Sequence, residues 1–172
     1  MKYLRSIKLI FAILLLLFGV FFLFIGEAMN AVYVLAGSAI AFFAQLLFGD
    51  VIAAYKQLGM RNYDKAKKYL DATLAPTFLL KMHRSYYYLS KSILSSKEEN
   101  YEQSEQFLNK ASAAGGLRDR DRIMTFVNLC HLYLSRKEAS KAKKYLSEAK
   151  NIECKDLRVK HEIEKLDKVL GS

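Results

Sequence analysis

Lys65-Ala66-Lys67-Lys68-Tyr69-Leu70 and Lys141-Ala142-Lys143-Lys144-Tyr145-Leu146 are the same six residues met twice in one chain of 172. Halving the distance between them gives an offset of 38, and at that offset five columns keep size and polarity through three copies: Tyr63, Tyr101 and Ala139; Ala66, Ser104 and Ala142; Tyr69, Phe107 and Tyr145; Leu70, Leu108 and Leu146; Thr73, Ala111 and Ala149. Twelve residues before Ala66, Ser104 and Ala142 stand Ala54, Ser92 and Cys130, again small. Two helices that cross closely need small side chains at the crossing and large ones beside it. A fixed period of this length marks stacked helical units, each unable to bury its apolar face alone.

In the third copy the first helix reads Phe126-x-x-Leu129-Cys130-x-x-Tyr133 and its partner reads Ala142-x-x-x-Leu146-x-x-Ala149. The second copy matches with Tyr88, Ser92, Ser104, Leu108 and Ala111, the first with Ala54, Ala66, Leu70 and Thr73. This pattern resembles the tetratricopeptide (TPR) repeat, over roughly residues 47–154. The period is 38 instead of the usual 34. The family's closing proline is replaced by Phe78, Gly116 and Cys154, although Pro76 lies close by. The resemblance implies an α-solenoid of three helix pairs, 48–59 with 62–74, 77–96 with 99–114, and 119–136 with 138–151, in repeats spanning 47–76, 77–116 and 119–154. Leu157, Ile163, Leu166 and Leu170 place an apolar stripe on a last helix, 156–170, read as the cap that closes the array.

Outward toward the N-terminus the composition changes. Residues 9–48 carry a single charge, Glu27, with Asn30, Ser38 and Gln45 as the clearly polar side chains. That is too long for one membrane span and right for two, each near the ~20 residues needed to cross ~30 Å of hydrocarbon. We read 9–25 and 31–48 as those spans, joined through Gly26-Glu27-Ala28-Met29-Asn30, so that 1–49 is a transmembrane helical hairpin and 50–172 a TPR-like domain. Lys2, Arg5 and Lys8 precede the first span, none lies in the connection, and Lys56, Arg61, Lys65, Lys67 and Lys68 follow the second. Positive flanks stay in the cytoplasm, so both termini are expected there. A cleaved leader has a shorter apolar run and no second one directly behind it. Gly37, Ala41 and Ala44 form a small-residue face that suits packing against the first span, with a homo-oligomer left open. Gln45, near the cytoplasmic end, is given no transport role. The Lys-, Ile- and Tyr-rich composition with one Pro suits an AT-rich bacterium, so the membrane expected is the bacterial cytoplasmic one.

Residues 51–172 hold 24 Lys or Arg and 15 Asp or Glu, most of the chain's net charge of +10. In a TPR array the first helices line a concave groove for partner segments. The resemblance carries that role to Val51 and Tyr55 from the first copy, Tyr86, Leu89, Ser90 and Ile93 from the second, and Met124, Val127, Asn128 and His131 from the third. The set is largely apolar. Of the Lys, Asn and Arg used by relatives that clamp a C-terminal carboxylate, Asn128 alone survives, so a hydrophobic groove for a partner helix or peptide is expected instead. The alternative is a groove filled by the capping helix or a second protomer. Lys56, Arg61, Lys65 and Lys68 are close to the membrane, where headgroup contact and a plain solvated face are both open.

Other chemistries are disfavoured. Arg118-Asp119-Arg120-Asp121-Arg122 alternates in sign, which favours local pairing, and no RNA-recognition or helix-turn-helix signature accompanies the basic balance, so no nucleic acid is expected. His83, His131 and His161 stand apart, Cys130 and Cys154 have no CxxC spacing, and no P-loop, GxGxxG or GxSxG occurs. Neither a catalytic residue, a metal nor a cofactor is expected. The reading is a membrane-anchored adaptor or scaffold whose partners are membrane-associated proteins; the alternative is a lipid-facing structural protein whose basic array lies on anionic headgroups.

Overall fold

The computed structural model describes residues 3–73 and 75–171. Lys2 of the positive flank and Leu74 of the expected helix 62–74 lie outside the described residues. Everything regular among the described residues is helical, as expected of an all-α chain. The order is α1 (Tyr3–Phe24), α2 (Ala28–Phe48), α3 (Val51–Gly59), α4 (Tyr63–Asp71), a 3-10 turn (Pro76–Phe78), α5 (Lys81–Lys97), α6 (Tyr101–Ala114), α7 (Asp119–Ser135), α8 (Ala139–Lys150) and α9 (Leu157–Gly171). The chain divides into two compact units, Met1–His83 and Arg84–Ser172.

In the first unit α2 folds back on α1 through a three-residue connection in which Gly26 takes φ 81°. The close approach is at Gly19, where an added Cβ would stand 2.7 Å from the Leu35 side chain, with Ala31 and Ser38 buried. Gly37 and Ala41 are exposed, so the small-residue face assigned to this packing lies elsewhere on α2. The reason is helical phase: Ala31, Leu35 and Ser38 centre the packed face, and Gly37 and Ala41 stand round to one side of it. Ala28–Gln45 is, among the described residues, the one stretch long and apolar enough to cross a membrane; 11% of it is buried, and the apolar stretch in α1, Ile13–Phe24, is shorter. At the connection Asn30 donates to Glu27 at 2.7 Å. The next helix does not continue α2. Gly49, at φ 57°, breaks the run, and a Cβ there would meet Leu79 at 3.2 Å and Thr73 at 3.3 Å.

The repeat is written into the backbone. Arg61, Glu99 and Lys137, each 38 residues from the next, have φ of 58°, 59° and 61°. Each donates its N–H three residues back, to Leu58, Ser96 and Leu134, while the following Asn62, Asn100 and Glu138 donate five residues back, to Gln57, Ser95 and Tyr133, all three at 2.9 Å. These are Schellman turns, which satisfy the last carbonyls of α3, α5 and α7. All six small crossing residues, Ala54, Ala66, Ser92, Ser104, Cys130 and Ala142, are buried. α3 packs on α4 and α7 on α8. In the middle pair the Ser104 hydroxyl donates to the Ser92 carbonyl at 3.0 Å, and Tyr88 stacks on Phe107 at 6.3 Å. In the last pair Tyr133 and Phe126 both stack on Tyr145, at 5.4 and 6.2 Å.

α9 packs on both α7 and α8 through Val159, Leu166 and Leu170, all buried. Leu157, expected in that stripe, is exposed, and Val159 takes its place. The helix starts one residue later than expected because Asp156 accepts the Arg158 N–H at 3.0 Å, a side-chain cap that leaves Leu157 at the first helical position. Ion pairs Arg120–Asp156 at 3.0 Å and Lys150–Asp167 at 2.5 Å, and a His131–Glu162 hydrogen bond at 3.3 Å, link α9 and its capping residue to α7 and α8.

Candidate functional site

The second unit contains a cavity of about 670 Å³ with walls from α5 and α7 and a floor from α6. α5 supplies Ser92, Ile93 and Ser96, α6 supplies Tyr101, Ser104 and Leu108, and α7 supplies Asn128, His131, Leu132 and Ser135, with Arg136 capping its end. The crossing rule explains why it is there: small side chains at 92 and 104 let α5 and α6 approach, and that leaves space in front of them.

Its polar lining is partly committed. Ser92 donates to the Leu89 carbonyl and Ser135 to the Leu132 carbonyl, both at 2.7 Å, the back-bonding open to a helical serine. Their oxygens can still accept. At one end Glu105 on α6 takes both the hydroxyl of Tyr133 on α7 and the guanidinium of Arg136 just past it, so the floor and one wall are tied by a charge-assisted network. Burial first, then the hydrogen bond to Glu105, pushes the Tyr133 hydroxyl well above the ordinary tyrosine range. Ile93, Leu108, Leu132 and the half-exposed Tyr101 ring give apolar contact. Such a mixture suits a peptide segment with apolar side chains and backbone or side-chain polar groups at the rim.

Of the residues expected in the groove, Ile93, Asn128 and His131 come together here. Met124, Val127, Asn128 and His131 line a second recess of about 290 Å³ that α9 closes with Arg158, Val159 and Glu162. Val127 is buried there, and Met124 and Asn128 are half-buried. Tyr86 and Leu89 are buried in the second unit. The Tyr86 hydroxyl donates to Asp121 and accepts from Arg118 Nε at 3.1 Å, and its pKa is raised, by burial first and by the Asp121 bond next. Ser90 is buried with its hydroxyl unpaired. Val51 and Tyr55 belong to the first unit, where Val51 is buried and Tyr55 half-buried. Lys56, Arg61, Lys65 and Lys68 are all exposed in that unit.

Ser96, Tyr101, Leu132, Ser135 and Arg136 were missed. The signal was present, since Ser96 and Ser135 extend the Ile93 and His131 stripes by one helical turn. Of the alternating run, Arg118 pairs locally with Asp121 at 3.3 Å, whereas Arg120 reaches Asp156. Cys130 is fully buried and burial pushes its thiol pKa up, which keeps it protonated and a poor nucleophile. No protein-family model, curated protein or solved structure matches this chain.

Proposed function

We propose that this protein is a membrane-anchored adaptor: the hairpin 1–49 spans a bacterial cytoplasmic membrane with both termini in the cytoplasm, and the TPR-like helix pairs of 50–172 offer a groove to protein partners. The observation that carries it is the 670 Å³ cavity in which Ile93, Asn128 and His131 meet apolar and hydroxyl groups from three helices. The span-length apolar stretch Ala28–Gln45, 11% of it buried, supports the anchor. Anchoring confines the groove to a thin layer beside the bilayer, which raises its effective concentration for partners already in the membrane. Tails of membrane proteins and peripheral assemblies fit that description. The chain has no catalytic role on this reading.

The test is in-cell crosslinking from a photoreactive residue at Ile93, with the exposed Lys143 on α8 as control. A discrete protein captured from position 93 and not from 143 supports the adaptor. Capture of the protein's own chain alone would overturn it. The exposed Lys56, Arg61, Lys65 and Lys68, in the same unit as the hairpin, favour a second reading in which basic helices meet anionic headgroups. Salt separates the two, because headgroup attraction fades with ionic strength and apolar groove contact persists.

A further inference from the structure

The segment after α4 returns to the end of α2 and is fastened there. Leu80 donates its N–H to the Leu47 carbonyl at 2.9 Å, one of the carbonyls that the last turn of α2 leaves without a helical partner. The ring of His83 meets the ring of Phe48 edge-on at 5.2 Å. Leu79 turns inward, is 3% exposed, and packs against Gly49 so closely that a Cβ there would stand 3.2 Å away. Leu79 therefore docks the segment.

Its neighbours face the other way. Phe78 is 64% exposed, Leu80 43% and Met82 45%. Leu79 is the extended residue (φ −56°, ψ 142°) that leaves the 3-10 turn ending at Phe78, and with its side chain turned inward Phe78 and Leu80 on either side of it stand outward. The level at which they emerge is set by α2. Its 21 residues, at about 1.5 Å each, measure roughly 30 Å, the thickness of the hydrocarbon layer. A segment bonded to Leu47 therefore sits where the span leaves that layer. Charge points the same way: residues 50–83 hold six Lys or Arg against three Asp, with Lys56, Arg61, Lys65 and Lys81 all exposed. Outward apolar side chains beside cationic ones are the composition of a segment that lies in the interface, with its apolar side about 5–10 Å into the headgroup and acyl boundary.

We propose that Phe78, Leu80 and Met82 form an interfacial anchor, inserted at the anionic headgroup level of the leaflet from which α2 emerges. The anchor holds the α2–α3 break and the start of α5 against the membrane surface. It rests on the reading of the hairpin as membrane-spanning.

The protein has no Trp, so single Trp variants report single sites. The full chain would be reconstituted into vesicles of phosphatidylcholine and phosphatidylglycerol, brominated either near the headgroup or near the acyl terminus. Phe78→Trp and Leu80→Trp report the proposed anchor, Phe21→Trp reports the hairpin, and Lys143→Trp sets the aqueous baseline. The expected result is loss of emission from Phe78→Trp and Leu80→Trp that is larger with shallow than with deep bromines, with a blue-shifted spectrum. Quenching of Phe21→Trp while both anchor variants match Lys143→Trp would overturn the anchor and leave the hairpin reading standing. A Phe21→Trp signal untouched by bromine would overturn both.

Discussion

The hairpin helices and the second unit of this protein use the same kinds of apolar residue in opposite ways. In residues 84–172 the large apolar side chains turn inward, and among the described residues Tyr101, Leu157 and Val169 are the large ones left exposed. On the hairpin of the first unit they turn outward, as at Leu17, Phe21, Phe24 and Ile40, and so do Phe78, Leu80 and Met82 beyond it, while Val51, Leu58, Leu70 and Leu79 of the same unit are buried. The same Schellman turn closes α3 in one unit and α5 and α7 in the other, so the difference does not lie in how those helices end. A helix apolar all round needs protein or lipid about it, and α2 has protein on one face only.

The largest effect should come from hollowing the second unit. Leu129 is fully buried in α7, and Leu129→Ala should cost about 2–5 kcal/mol, read by denaturant unfolding followed by circular dichroism. A shift near zero would mean the unit is loosely packed. Ile40→Arg asks the reverse question of the hairpin. At a 70% exposed site in water it would be nearly neutral, whereas near the centre of a span it should cost about 2.5–3.5 kcal/mol of insertion, visible as a reduced inserted fraction in a translocation assay.

Much of this contrast was legible in the sequence. The 38-residue offset found the helix pairs, and the small residues at 54, 66, 92, 104, 130 and 142 marked crossings that are buried in every copy. The apolar block 9–48 announced the hairpin helices. What stayed hidden depended on pairs distant in sequence or on backbone conformation. Tyr86 has an aromatic's pattern in α5, but its burial against Asp121 and Arg118 is decided 32 to 35 residues away. The left-handed turns carry Arg, Glu and Lys, where glycine would have been the recognisable sign. The groove lost Val127 to α9 because Val159 packs where a partner was expected, and no periodicity within α7 reveals that.

Smaller effects sharpen the comparison within the second unit. Tyr133→Phe removes a buried hydroxyl bond to Glu105 and should cost about 0.5–1.5 kcal/mol at neutral pH. It should also flatten the alkaline limb. The Tyr133 and Tyr86 pKa values are raised in the folded protein, so their contribution is complete below the ordinary tyrosine value of about 10 and is lost as pH rises above it. Thermal unfolding should fall less steeply above that pH in Tyr133→Phe than in the parent. Equal slopes would contradict the assignment. Least is expected of Lys137→Gly, which relieves a left-handed residue at the α7 turn and should stabilise by about 0.5–1 kcal/mol, while Lys137→Val at the same place should destabilise.

The membrane assignment of the first unit is the point on which most depends, and alkaline carbonate extraction of cells producing the full chain tests it most directly. The expected result is retention of the protein in the washed membrane pellet, with residues of the second unit accessible to protease in inverted vesicles. Release into the supernatant would contradict it, and would require a protein partner to cover the apolar faces of α1 and α2.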